Sequence, residues 1–172
     1  MKVTPRHLAI AGALALGVAG AGMAQRTASV PAPQAIQCHV QPGNRPDPAC
    51  SPGEVLPLVT KDQVCTPGYA GAARNVPDSL KAAVLAEYGM SRADADIEVD
   101  HVVPLAIGGS NSIRNLFPQP ADPRPGFHEK DRLEWSAHRL VCNGRIGLAD
   151  AQRRMSSDWL GWYQELQQQG EL

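Results

Sequence analysis

The sequence predicts an α+β domain stabilised by disulfides, with two short strands and flanking helices. Three observations lead there. Apolar residues alternate with polar ones over 96–103, but recur every three to four residues over 77–89, over 127–142 and again from 148. Four cysteines, Cys38, Cys50, Cys65 and Cys142, follow an export-type N-terminus. Apolar residues make up 43% of the chain, enough for a core, while 16 Gly and 15 Pro among 172 residues require much turn and loop. With 16 basic and 17 acidic side chains, the whole-molecule field does not attract a polyanion, so any such attraction has to be local.

Lys2 and Arg6 precede an uncharged run from Leu8 to Ala24, with small residues Gly22 and Ala24 ahead of a cut before Gln25. This is the layout of a secretory signal peptide. The run is short and weakly apolar for a retained span. Residues 1–24 are therefore expected to be removed, leaving a secreted or periplasmic protein with no stable membrane insertion. Without Lys2 and Arg6, 14 basic residues face 17 acidic ones, a net charge of −3. An even cysteine count in an exported chain predicts two disulfides. Spacings of 12, 15 and 77 lack the CxxC pairs of a structural zinc site. Three pairings are open; the one favoured joins Cys38 to Cys50 locally and Cys65 to Cys142 across a long loop.

Residues 25–53, rich in Pro, Ala and Gln, read as an extended arm, and 54–172 as the folded domain. Over 77–89, Asp78 or Ser79 is the expected cap, Leu80, Val84 and Tyr88 form one face, and Gly89 is the stop. The strand over 96–103 ends at Pro104, and Gly108-Gly109-Ser110-Asn111 is a turn. A second strand is expected around 113–117, followed by a proline-enforced loop from Pro118 to about Gly126. In the helix over 127–142, Leu133, Ala137, Leu140 and Val141 face the core. His128, Asp131, Trp135, His138 and Cys142 share a second stripe about 80° wide at 100° per residue. A last helix from Leu148 presents Ala151, Met155, Trp159, Trp162 and Leu166 to the core.

The chemistry lies in Glu98 to Leu105, with Asp100-His101 at its centre, then Gly108 to Asn111, and Asn115 to Pro118. A carboxylate beside a histidine at a strand end can place a metal ligand and a general base at one phosphodiester, provided the strand bends there. These residues resemble the HNH nucleases in D-H at 100–101, an Asn 14 residues beyond the histidine, the Leu after it and a helix beyond. They resemble more closely a subgroup of small exported bacterial HNH proteins. The shared stretches are cysteine-TPGY (Cys65 to Tyr69), R-x-V-P (Arg74 to Pro77), D-H-x-x-P-L-x-x-G-G-S-N (Asp100 to Asn111), N-L-x-P (Asn115 to Pro118) and K-D-x-L-E (Lys130 to Glu134). V-C-x-G (Val141 to Gly144), Ala151-Gln152 and Asp158-Trp159 complete the set.

The resemblance implies a ββα-metal (HNH) core in which Asp100 binds a divalent ion, His101 deprotonates water and Asn115 holds the loop. Mg²⁺ is the expected ion, with Mn²⁺ or Zn²⁺ as substitutes. His128 and Asp131 are candidates for further metal ligands, although the gap to His128 is longer than the family's and a histidine there is not part of the subgroup pattern. Arg74 and Lys130 are candidate substrate contacts. Trp159 and Trp162 are spaced for the core and His138 for a half-buried site, while Lys130 and Glu134, four apart, also fit a plain surface charge pair.

The first functional reading is therefore an exported hydrolase of DNA or RNA phosphodiesters without strong sequence specificity. The second is an envelope-binding or structural protein that keeps the scaffold without turnover, favoured by the mature charge of −3. A third is hydrolysis of another phosphodiester. No inhibitor or envelope partner is identifiable from the sequence.

Overall fold

The computed structural model describes residues 37–94 and 96–172. The expected signal peptide and the first part of the Pro-rich arm lie outside these residues. Two disulfides join Cys38 to Cys50 and Cys65 to Cys142, the favoured pairing. No helix among the described residues is long and apolar enough to cross a membrane. The disulfides are compatible with an oxidising extracellular or periplasmic setting.

Three short helices lead in: α1 (Lys61–Val64), α2 (Tyr69–Ala73) and α3 (Asp78–Glu87). Thr60 and Gln63 close α1 with a capping box, each side chain bonding the other's backbone N–H. Helix α3 departs from expectation at its start. Pro77, extended at φ −68° and ψ 159°, is the cap residue, and neither Asp78 nor Ser79 caps. The Asp78 carboxylate is instead taken up by Arg92 at 2.7 Å.

Strands β1 (Ile97–His101) and β2 (Leu116–Pro120) form an antiparallel pair in which Asp100 faces Phe117 and His101 faces Leu116. Both strands differ from the expected ranges. β1 stops at His101 rather than 103, because the Val103 N–H bonds the Asn115 side chain and leaves the ladder. Ile113–Asn115 forms a 3₁₀ turn capped by Ser112, so β2 begins later and runs through Pro118 and Pro120. The bonds flanking the ladder run from Val102 N–H to the Asn115 carbonyl and from Ala121 N–H to the Asp96 carbonyl. Residues of odd number in β2 therefore face β1, and the two prolines sit where no N–H is needed.

Helix α4 (Phe127–Cys142) and helix α5 (Leu148–Gln169) match the periodicity. Leu133, Ala137 and Val141 of α4 pack on Ala151, Met155, Trp159 and Trp162 of α5 to make the main core, with Val64 from α1. The backbone of α5 breaks at Asp158 (φ −159°, ψ 70°), whose carboxylate accepts the Gly161 N–H and so caps the second half of the helix. A smaller cluster of Cys38, Tyr88, Val102 and Phe117 joins the 37–53 segment to β1 and β2. That segment is held further by Ser51, which donates to the Leu116 carbonyl, and by Asn44, which donates to the Pro123 and Pro125 carbonyls.

Cys65–Cys142 ties the loop after α1 to the end of α4 across 77 residues, against 12 for Cys38–Cys50. On chain entropy alone the long bridge contributes roughly 4 kcal/mol and the short one roughly 3 kcal/mol. Replacing Cys65 and Cys142 together by Ala is expected to lower the urea midpoint more than replacing Cys38 and Cys50, with both proteins unfolding in one step.

Candidate active-site cleft

β1 delivers Asp100 and His101 at its last two positions, and the chain turns away immediately afterwards. In a continuing strand the two side chains would point to opposite faces. Here both line one cleft of about 470 Å³, together with Glu98, Arg74, Asp131 and Glu134. The wall opposite comes from α2 and the loop before it, including Tyr69.

The turn is fixed by Asn115. Its Oδ1 accepts the Val103 N–H at 2.9 Å, and its Nδ2 donates to the carbonyls of Val103 and Ser110 at 2.9 and 2.8 Å. The residue is completely buried. Gly109 is required beside it, since a Cβ there would collide with the Val103 carbonyl. Asn115 thus holds the loop that carries Pro104 to Ser110 and lies behind the cleft rather than in it; it is a positioning residue.

Asn111 orients the histidine. Its Nδ2 donates to the Ala73 carbonyl at 2.8 Å and its Oδ1 accepts the Asn75 N–H at 3.2 Å, which settles which end of the amide is oxygen. The same Oδ1 lies 3.3 Å from His101 Nε2. An amide oxygen only accepts, so Nε2 carries the proton and the lone pair is on Nδ1. Nδ1 accepts no hydrogen bond from the described residues and is not among their buried unpartnered atoms, so it keeps solvent contact. Burial lowers the His101 pKa below its ordinary 6.5, and Lys130 and Arg74 push the same way, while Asp100 and Asn111 oppose them. The ring is accordingly neutral and basic at Nδ1.

Lys130 is placed where the sequence reading did not put it. Expected as a substrate contact, it is 0% exposed. Its ammonium donates to Asp100 Oδ2 at 2.6 Å, to the His101 carbonyl at 2.6 Å and to Glu134 Oε1 at 2.5 Å. All three protons are used, so none remains for a substrate. Burial alone would depress Lys130, but Asp100 and Glu134 more than offset it and hold the ammonium charged above the usual lysine range. Glu134, also partly desolvated and sharing that single ammonium with Asp100, is pushed up to about 8.

Glu98 and Asp131 complete the acidic wall. Partial burial first, and then the charge of Asp100, raise both carboxyls, while Arg74 lowers them. Asp100 Oδ1 accepts the His101 N–H at 2.7 Å, so both of its oxygens already have a partner. His128 is exposed, its ring lies tilted against that of Phe127, and it does not line the cleft. Asp100, His128 and Asp131 therefore do not form a converging three-ligand cage. Among the described residues the one trio of such groups with ligand atoms within 4.8 Å is Cys65, His138 and Cys142. Its two sulfurs are joined to each other, and His138 Nε2 donates to the Val64 carbonyl at 3.0 Å, so the trio is a structural stitch in this state.

No protein-family description, curated protein or solved structure matches the chain. The sequence reading assigned no individual role to Asn111, Glu98 or the exposed Trp135, which all belong to the cleft or its support. Glu98 and Asn111 lay inside the stretches that carry the chemistry, and Trp135 on the same helical stripe as Asp131 and His138; those were the available signals.

Removing the ammonium would leave Asp100 as a largely buried charge without a partner. Lys130→Met is expected to cost about 3–5 kcal/mol in urea unfolding. Adding Asp100→Leu to that variant is expected to restore a large part of the loss, because no buried anion then remains at β1.

Proposed function

We propose that this chain is an exported, metal-dependent endonuclease of the HNH type, hydrolysing DNA or RNA phosphodiesters without strong sequence preference. The observation that carries the reading is His101: a neutral imidazole with Nδ1 open to a cleft, its tautomer set by Asn111 and its backbone held by Asn115 and Lys130. The order strand, loop, strand, helix through β1, β2 and α4 supports a ββα core for it.

In the reaction, His101 Nδ1 takes a proton from the attacking water, a step within reach of a neutral imidazole near neutral pH. Arg74, which lines the same cleft, pairs with the phosphate. The donor set suits a hard ion, since Asp100, Asp131 and Glu98 offer carboxylate oxygen and no free thiolate. Mg²⁺ is commonly held by one or two carboxylates, water and substrate phosphate, so it needs no closed protein cage. Asp100 and Asp131 would hold it, Asp100 through the second lone pair of an oxygen already bonded inside the protein. When bound, such an ion neutralises charge that develops on the phosphate and the leaving oxygen.

A second reading is favoured by one observation, the Lys130 ammonium seated on Asp100 at 2.6 Å within an acidic wall. In that reading the site is filled by its own cation, and the protein binds an envelope component without turnover.

Purified protein with both disulfides intact is expected to nick plasmid DNA or cut structured RNA with Mg²⁺ or Mn²⁺. EDTA is expected to stop it, and His101→Ala to lower the rate by roughly 100-fold or more. No cleavage by folded protein under any of these metals would favour the second reading. The pH dependence has a definite sign. His101 works as a base only when neutral, and its pKa is lowered from 6.5, so the acid limb of kcat/KM is expected to have its midpoint below about 6.5. Activity should rise with pH through that midpoint, as steady-state rates between about pH 4 and 8 would show.

A further inference from the structure

Trp135 is 79% exposed on α4, between Asp131, Glu134 and His138, and it lines the same cleft as His101. Core packing does not account for it. Trp159 and Trp162 are buried, and α4 meets the core through Leu133, Ala137 and Val141 instead. Leu58, the other large apolar side chain left in water among the described residues, does not line this cleft.

The charge around Trp135 says what it can grip. Glu98, Asp131 and the Lys130-paired Asp100 share the cleft with it, against the Arg74 guanidinium. Arg74 is the one Lys or Arg in that lining, so part of the hold on a nucleotide has to fall on its uncharged end. A tryptophan face does this by stacking on a base. Bases inside a duplex have both faces covered by their neighbours, and only an unpaired one has a face to offer.

We propose that Trp135 is the stacking platform for an unpaired nucleobase, and that the cleft takes single-stranded or locally unpaired nucleic acid. The inference rests on the nuclease reading of the cleft and names its substrate class.

The test uses the His101→Ala protein with both disulfides intact, in Mg²⁺, so that binding is read without turnover. Labelled oligo(dT), oligo(U) and a blunt duplex are titrated by fluorescence anisotropy, and intrinsic tryptophan emission is followed with unlabelled oligonucleotides and with a β-linked amino-sugar oligomer. Saturable quenching by either single strand is expected. Trp135→Ala should weaken single-strand binding about tenfold, Trp135→Phe should recover most of it, and duplex binding should change less than twofold. Quenching by oligo(dT) alone or oligo(U) alone supports the proposal and names the nucleic acid. Unchanged affinity in Trp135→Ala, an equal loss on the duplex, or quenching only by the sugar overturns it. Trp135 is on the surface, so its replacement leaves folding intact. Cleavage by the unmutated protein is scored separately. If His101-dependent cleavage stands while stacking fails, the nuclease reading survives alone; if stacking holds without cleavage, the nuclease reading is the one lost.

Discussion

The cleft depends on one buried ammonium. Lys130 reaches from α4 to the end of β1 and bonds Asp100, the His101 carbonyl and Glu134 at once. Burying a lysine is unfavourable unless all its protons find partners, and here each one does. That requirement fixes the distance between strand and helix more tightly than apolar packing would, because ion-pair geometry tolerates little slack. The other wall is then tied to α4 by Cys65–Cys142 and by the His138 bond to the Val64 carbonyl. Helix α4 is thus the beam to which both sides of the cleft are fastened, and α5 backs it through the core.

The same arrangement leaves the electrostatics unbalanced. Lys130 answers two carboxylates with one positive charge, and Glu98 and Asp131 add more acid facing the cleft. Their raised pKa values express the same fact, that negative charge there is held against burial and against its neighbours. In the proposed reaction a divalent cation would relieve that repulsion and give phosphate a reason to approach. Without one, Arg74 stands against the acidic wall, and the chain's net charge of −1 supplies no compensating attraction from a distance.

What the sequence disclosed was what periodicity and cysteine arithmetic can carry. Helices over 127–142 and from 148 were legible because Leu133, Ala137, Val141 and then Ala151, Met155, Trp159 repeat at helical spacing and are buried together. Strand β2 was legible only in part. Pro118 and Pro120 read as loop, yet a two-stranded ladder leaves every second N–H of a strand unused, and both prolines fall there. The burial of Lys130 was not legible, since a lysine four residues before a glutamate on a helix reads as surface until the strand that covers it is in place. Asn111 was hidden for a related reason. Its partners, Ala73 and Asn75, come from 36 to 38 residues away, and no local pattern announces such a bond.

The histidine shows how these separate constraints converge on a single protonation state. Burial disfavours its charged form, Asn111 assigns the proton to Nε2, and the backbone bonds of Val102 and Val103 to Asn115 fix the chain immediately after it. None of the three would suffice alone: a buried but unoriented ring presents either nitrogen, and an oriented but exposed ring is partly protonated near pH 6.5. Within the loop between β1 and β2, Asn111 thus sets which imidazole nitrogen carries the proton, and Asn115 holds the backbone beside it. The turn that follows the ring is fixed by a glycine at 109, where a Cβ would meet the Val103 carbonyl, and by the three bonds of the buried Asn115.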